Sequence, residues 1–184
     1  HNPEFTTIEL YQAYGDLSDM RHWLEGLFHY IAKEVIGKEV YHYAGNDIDV
    51  SKPFAWVDQA ESIKNVCGVD FKEHISYEEA VALAKKFNVP LQKSWNSVGY
   101  IQQAFFDELV EKTLIQPTFI HTYPIEVSPL TKKTSDPRFV DRFELFIAGT
   151  EFGNAYSELN NPFDQKERFE AQLAAKERGD DEAN

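Results

Sequence analysis

The sequence predicts an α+β fold built on a mostly antiparallel sheet. Segments with strand-like alternation of apolar and polar residues lie towards both ends of the 184-residue chain. Between them, apolar residues recur at three- and four-residue spacing, which is typical of amphipathic helices. The strands are mostly joined by short turns, and short connections favour antiparallel pairing over the long crossovers of a parallel sheet.

The first quarter of the chain predicts a strand, a helix and a pair of short strands. Residues 5–12 alternate in the manner of a strand, which places Glu9 and Tyr11 on the same face. A helix is predicted from Asp19 to Val35 because its apolar residues have helical spacing and a glycine follows shortly after. Residues 38–50 predict two short strands around a turn.

The middle of the chain predicts a helical region inserted between strands. Residues 53–57 predict a strand, and Asp58 can cap the helix that follows it. The capping-box pattern Ser76-Tyr-Glu-Glu79 predicts the start of a second helix. Residues 97–114 predict a longer amphipathic helix, so the helical region covers about 58–114.

The last third predicts a strand, a hairpin and a terminal helix. The strand is expected at residues 116–122 and the hairpin at residues 139–158. A helix is predicted over residues 162–177, because a proline stands at its first position and Asn160 or Asn161 can cap it.

The predicted hairpin carries acidic side chains in an otherwise apolar run. Its strands are expected to join through a turn at Ala148-Gly149. In that register Glu151 lies opposite Phe146 and diagonal to Glu144, so the two carboxylates share a face. Diagonal neighbours lie about 7–8 Å apart at their α-carbons, close enough for both acids to reach one small cation.

Further polar residues of the hairpin can act together with Glu144 and Glu151 only if the strand is irregular. In a regular strand Asn154, Tyr156 and Glu158 alternate onto the face opposite to Glu151. A shift of one residue brings them to the same face, and isolated glycines in strands often mark such bulges. We therefore predict a β-bulge at Phe152-Gly153.

Composition limits the classes of function. The chain is 42% hydrophobic and 14% aromatic, which is typical of a folded domain, and its net charge of −13 argues against broad contact with nucleic-acid phosphates. Its single cysteine, Cys67, excludes an internal disulfide, suits a reducing compartment, and is expected to be a small buried apolar residue. The sequence shows neither a membrane-length apolar run nor a signal-peptide pattern. Because it begins at His1 without methionine, we expect a piece of a longer protein.

Motifs spread over the whole chain identify a family. They are His1–Tyr14, Lys93–Trp95, Gln116–Ile120, Val127–Leu130, Arg142–Glu144, Asn154–Asn160, Ala174–Lys176 and Gly179–Ala183. Together they resemble the catalytic domain of class II lysyl-tRNA synthetases, from within motif 2 to before motif 3. Residues 1–184 are thus expected to form part of that domain.

The resemblance implies roles for individual residues. Glu144 and Glu151 correspond to the residues that hold Mg²⁺ between ATP phosphates, Phe5 to the residue that stacks on adenine, and His1 to one near the phosphates. Acidic residues suit a lysine pocket, because a buried carboxylate beside an ammonium group is matched rather than stranded. The implied lysine-binding residues are Glu9, Tyr11, Asn154, Tyr156 and Glu158.

The resemblance also implies a two-step reaction. Lysine is activated by ATP to lysyl-adenylate, and the lysyl group then passes to tRNA(Lys). No side chain is needed as a nucleophile, so no catalytic residue is expected; positioning and charge stabilisation carry the reaction. The implied parent is a cytoplasmic homodimer that does not contact membranes. The 184-residue piece is expected to be inactive alone, because the motif 2 and motif 3 arginines of the family lie outside it.

Two other functions remain open at this point. A paralogue that transfers lysine to a protein shares the opening His-Asn-Pro-Glu-Phe5 motif, although it resembles residues 154–160 less well. A non-catalytic scaffold or binding fragment is the other alternative, with residual affinity for lysine or ATP. Binding measurements with lysine and Mg-ATP distinguish a competent pocket from an inert scaffold.

Overall fold

The computed structural model describes residues 4–177 and confirms the α+β class. Its main element is a four-stranded sheet with strand order β3-β4-β5-β6, in which β3 and β4 are parallel and the other neighbours are antiparallel. A separate antiparallel pair consists of β1 and β2. The strands are β1 (Val40–Tyr43), β2 (Asn46–Asp49), β3 (Ala55–Asp58), β4 (Thr118–Pro124), β5 (Phe139–Ile147) and β6 (Thr150–Tyr156).

Five α-helices accompany the sheets in the described part of the chain, and none of them is both long and apolar enough to cross a membrane. Short π-helical segments extend the first and fourth helices over residues 31–36 and 106–110, and 3₁₀ turns cover residues 111–113 and 125–127. The α-helices are α1 (Leu17–Tyr30), α2 (Gln59–Cys67), α3 (Tyr77–Lys86), α4 (Val98–Phe105) and α5 (Pro162–Glu177).

The predicted starts of three helices are confirmed by their capping contacts, whereas α1 begins at Leu17, two residues before the predicted Asp19. The Asp58 side chain accepts a hydrogen bond from the first turn of α2. Ser76 and Glu79 form the reciprocal bonds of a capping box at α3. Of the two candidate caps for α5, Asn161 is the one whose side chain accepts from the backbone of the first turn. Each contact satisfies amide groups that a helix start otherwise leaves unpaired.

Three predicted elements differ in the structure. Residues 5–12 do not form a strand, because no strand in residues 4–177 pairs with them and a lone strand has no hydrogen-bonding partner. The single helices predicted at Asp19–Val35 and at residues 97–114 each change to a π-helix before they end. In the second of these, Phe105 and Phe106 are both fully buried at the junction between the two helix types.

The sheet separates two apolar cores. Alternate residues of β4 and β5 point to opposite faces: Phe119 and Phe143 pack with α1 and the β1–β2 pair, whereas Ile120 and Phe146 pack with the inserted helices. Glu144 belongs to this second face, because its strand partner in β4 is Ile120. Glu144 therefore lies on the side of the sheet that faces the inserted helices.

The start of α4 is covered by an acidic side chain from a distant segment. Its N-cap residue, Ser97, forms no capping hydrogen bond through its side chain. Instead the Glu126 carboxylate lies directly against Gly99, in the space that a Cβ atom there would occupy. A carboxylate at a helix N-terminus is stabilised by the unpaired amides and the helix dipole.

We expect Gly99→Ala to lower the free energy of unfolding by about 1 kcal/mol, because a methyl group displaces the Glu126 carboxylate from the helix start. Gly26→Ala in α1 is the matched control. Its added methyl group meets no atom within 4 Å, so alanine there should stabilise the protein by about 0.5–1 kcal/mol. Urea unfolding of both variants tests the prediction, and a Gly99→Ala variant as stable as Gly26→Ala contradicts it.

A candidate metal and substrate site on the β5–β6 hairpin

The β5–β6 hairpin has the predicted turn and the predicted bulge. Ala148 and Gly149 both have positive φ angles, 53° and 69°, as the tight turn of a two-residue hairpin requires. Glu151 pairs with Phe146, but the register then shifts, so that Leu145 pairs with Gly153. The extra residue in β6 is Phe152, which confirms a bulge at Phe152-Gly153.

The bulge brings the polar residues of both strands to one face. After the shift, Glu144 pairs with Asn154 and Arg142 pairs with Tyr156. Glu151 lies on the same face on the other side of the bulge, since its partner Phe146 is two residues from Glu144 in β5. The face therefore presents acids, an amide and a phenol in one row.

Glu144 is fixed at the centre of this row. It is only 8% exposed, and the Tyr123 hydroxyl donates a 2.7 Å hydrogen bond to its Oε2 atom. Arg142 forms an ion pair with the other carboxylate oxygen. Burial and the negative charge of Glu144 raise the pKa of Tyr123 well above its usual value, so the phenol remains a donor at neutral pH.

Arg142 is the functional candidate that the sequence alone did not single out. Its Nε donates to Asn154 Oδ1 at 3.1 Å, and its Nη1 donates to the Val127 carbonyl at 3.1 Å and to Ser128 Oγ at 2.7 Å. The guanidinium carbon also lies 4.8 Å from the centre of the Tyr123 ring. Two signals in the sequence pointed to this arginine without assigning it a role: its place in the family motif Arg142–Glu144, and its position two residues before Glu144, where a strand places both side chains on one face.

Several acids around Glu144 interact unfavourably. Desolvation, and then repulsion from Glu144, raise the pKa of Glu151 and of Glu111. Asp107, in the π-helical segment, is solvent-exposed as a residue, yet desolvation of its carboxyl group and repulsion from Glu111 and Glu144 raise its pKa to about 6. The single positive charge of Arg142 does not neutralise these carboxyl groups, so the hairpin face favours a bound cation.

The donor set suits a hard divalent cation that also takes ligands from a substrate. Glu144 and Glu151 offer carboxylate oxygens on one face, and Mg²⁺ commonly binds one or two carboxylates together with phosphate oxygens. No group of three or more histidine, cysteine, aspartate or glutamate side chains within the described residues could hold a metal ion by itself. The pair therefore fits a metal that arrives with a phosphate-bearing ligand.

The predicted lysine-binding residues of the hairpin start at Asn154, which pairs directly with Glu144, and continue through Tyr156 to Glu158. Asn154 and Glu158 are exposed, and Tyr156 is 41% exposed. Desolvation and then the negative charge of Glu158 raise the pKa of Tyr156, with smaller contributions from Tyr11 and Glu9. Glu9 and Tyr11 are themselves exposed, and their segment is not a strand.

Of the two predicted ATP-binding residues, only Phe5 lies within the described residues. Phe5 is 80% exposed, and no aromatic contact in residues 4–177 involves it. His1 lies outside the described residues. Cys67 is partly buried against the helical core and donates a 3.3 Å hydrogen bond to the Ile63 carbonyl, as expected of a structural thiol.

Comparisons with known proteins agree with these observations. The family model described as tRNA synthetases class II (D, K and N) matches residues 1–184. The chain is 54% identical over 184 residues to the lysine–tRNA ligases of Streptococcus thermophilus and of Lactococcus lactis subsp. cremoris. It is 53% identical over the same length to that of Streptococcus agalactiae. Each match covers the whole chain but only 37% of the relative.

Proposed function

Because the chain belongs to the class II tRNA synthetases of the D, K and N group, we propose that it is the central part of a lysine–tRNA ligase catalytic domain. The observation that carries the proposal is the row of acids, amide and phenol on one face of the β5–β6 hairpin. Such a row can bind the ammonium group of lysine at one end and a metal-bound phosphate at the other. The relatives named above support lysine as the amino acid.

In this proposal Glu144 and Glu151 hold Mg²⁺ with ATP as the substrate. The metal, when bound, supplies positive charge that stabilises the phosphate oxygens as the α-phosphorus is attacked. Glu144 is suited to this role because Tyr123 and Arg142 fix its orientation before any ligand arrives. The proposal extends to Phe5 as the adenine contact and to His1 near the phosphates.

The lysine pocket is proposed at the outer end of the same face. Acids in this pocket hold the ammonium group, while the Tyr156 ring lies beside the alkyl chain. The resulting geometry presents the lysine carboxylate to the ATP α-phosphorus, so that positioning rather than a protein nucleophile accelerates the reaction. The proposed lysine-binding residues are Glu9, Tyr11, Asn154, Tyr156 and Glu158.

The remaining functions belong to the complete protein. The chain spans 37% of the length of the lysine–tRNA ligases that it matches. We propose that residues 1–184 are a partial catalytic domain with a helical insertion at about 58–114. The complete protein is proposed to act on tRNA(Lys) in the cytoplasm as a homodimer, with no role for a membrane.

Lysine-dependent ATP–pyrophosphate exchange by the complete protein that carries this chain tests the proposal. Exchange with lysine, but not with aspartate or asparagine, is the expected result. A second assay offers radiolabelled lysine with either tRNA(Lys) or a protein acceptor, and transfer to protein alone would establish the alternative lysyl transferase. If calorimetry detects no lysine binding and the protein supports no exchange, the non-catalytic scaffold is the function that stands. The 184-residue chain by itself should not charge tRNA.

A further inference from the structure

We propose that Arg142 is a positioning residue that locks the metal-binding end of the hairpin face to its lysine-binding end. This inference rests on the function proposed above. The guanidinium group simultaneously contacts Glu144, the proposed metal ligand, and Asn154, a proposed lysine ligand. No other side chain in the described residues makes hydrogen bonds to both.

The contacts use all three nitrogens of the guanidinium group. Nη2 pairs with the Glu144 carboxylate and Nε donates to the Asn154 side-chain oxygen. Nη1 donates to the Val127 carbonyl and to the Ser128 hydroxyl. Because the guanidinium is planar and rigid, these acceptors are held at fixed positions relative to one another.

The group is also braced from outside the hairpin. The face of the Tyr123 ring lies beneath the guanidinium, and the same tyrosine donates to Glu144. Ser128 is 4% exposed, and its carbonyl accepts a hydrogen bond from Arg168 of α5. Arg142 therefore links the buried Ser128 and the adjoining Val127 carbonyl to the Glu144 and Asn154 side chains.

Fixing both ends with one side chain matters for the proposed reaction. The lysine carboxylate must meet the α-phosphorus of an ATP whose phosphates are held through Glu144. A misplacement of about 1 Å between reacting groups can cost about a hundredfold in rate. Glu144 and Asn154 are cross-strand partners, so the sheet sets their backbone distance. An arginine bound to both side chains would fix the Glu144 carboxylate relative to the Asn154 amide, and so control that alignment, without contacting the reacting atoms.

Arg142→Lys separates positioning from simple charge compensation. Lysine keeps the positive charge beside Glu144, but its single ammonium group has three donors and cannot reproduce the fork geometry. We expect kcat for lysine-dependent ATP–pyrophosphate exchange by the complete protein to fall about a hundredfold. The dissociation constant for lysine, measured by calorimetry without ATP or metal, should rise about tenfold because Asn154 is released.

Arg138→Lys is the matched control. Arg138 also forms several guanidinium bonds, to Asp136 and to the carbonyls of Lys72 and Glu73, but it lies outside the hairpin row. Its replacement should leave lysine affinity and exchange within about twofold of the unchanged protein. Equal effects of the two substitutions would show that Arg142 is merely structural, and an Arg142→Lys variant with unchanged lysine affinity and kcat would also overturn the inference.

The inference and the proposed function fail in different ways. If the unsubstituted protein neither binds lysine nor supports exchange, the proposed function is wrong. If it does both and Arg142→Lys matches it, only the positioning role is wrong.

Discussion

Glu144→Gln is expected to reduce lysine-dependent ATP–pyrophosphate exchange by about a thousandfold in the complete protein that carries this chain. The substitution keeps the size of the side chain but removes the negative charge that a divalent cation requires. Lewis-acid stabilisation of a phosphoryl transition state is worth several kcal/mol, and a loss of about 4 kcal/mol corresponds to that change in rate.

The substitution also disturbs the contacts that fix residue 144. Both carboxylate oxygens accept hydrogen bonds, from Arg142 and from Tyr123. A glutamine has only one acceptor oxygen, so its NH₂ group must face one of these donors. The pKa of Glu151 should fall in the Glu144→Gln variant. The negative charge of Glu144 raises that pKa by repulsion, and the substitution removes the charge.

Glu108→Gln provides the control for Glu144→Gln. Glu108 is an exposed acid whose charge acts on Asp107, but it lies in the π-helical segment rather than on the hairpin. Exchange by Glu108→Gln should stay within about threefold of the unchanged protein. NMR titration of Glu151 in Glu144→Gln supplies a readout independent of activity. Retained exchange together with an unchanged Glu151 pKa would show that Glu144 belongs to neither the metal site nor the acidic group.

The hairpin could be predicted from sequence because its determinants are local. The turn follows from Ala148-Gly149, and alternation fixes the faces of the flanking strands. The bulge followed from a conflict: Glu144 and Asn154 can act together only if the strand shifts, and Gly153 lies where a shift is easy. The turn and the strand faces needed only neighbouring residues and the pairing rules of a sheet, whereas the premise that Asn154 acts with Glu144 came from the family resemblance.

The parts that sequence did not predict depend on distant contacts. The Arg142 contacts include Val127, the last residue of a 3₁₀ turn, and Ser128 directly after it, which precede Arg142 by 15 and 14 residues. Periodicity carries no information about such distant contacts. For residues 5–12 the sequence predicted an element that does not form. Their alternation is strand-like, but no strand partner is present among residues 4–177. Strand pattern alone cannot replace a hydrogen-bonding neighbour.

Arg168→Ala is expected to have the largest effect on stability, lowering the free energy of unfolding by about 3 kcal/mol. Arg168 is 7% exposed, and its Nη1 donates to the carbonyls of Ser128, Pro129 and Thr131. Its other nitrogens donate to Asp164 within α5, each at 3.1 Å. Alanine removes this donor from the Pro129 and Thr131 carbonyls, while the Ser128 carbonyl keeps a 3.4 Å bond from the Thr131 amide. Buried groups that lose a partner carry the cost of desolvation.

Lys166→Ala in the same helix is the control for Arg168→Ala. Its side chain is 76% exposed, and its ammonium lies 3.8 Å from Glu170, so its loss should change stability by less than about 0.5 kcal/mol. Urea unfolding followed by tryptophan fluorescence gives the comparison. Because Ser128 also receives a hydrogen bond from Arg142, Arg168→Ala should weaken lysine binding even at temperatures where the protein stays folded. A destabilised Arg168→Ala variant with unchanged lysine affinity would show that α5 supports the fold but not the site.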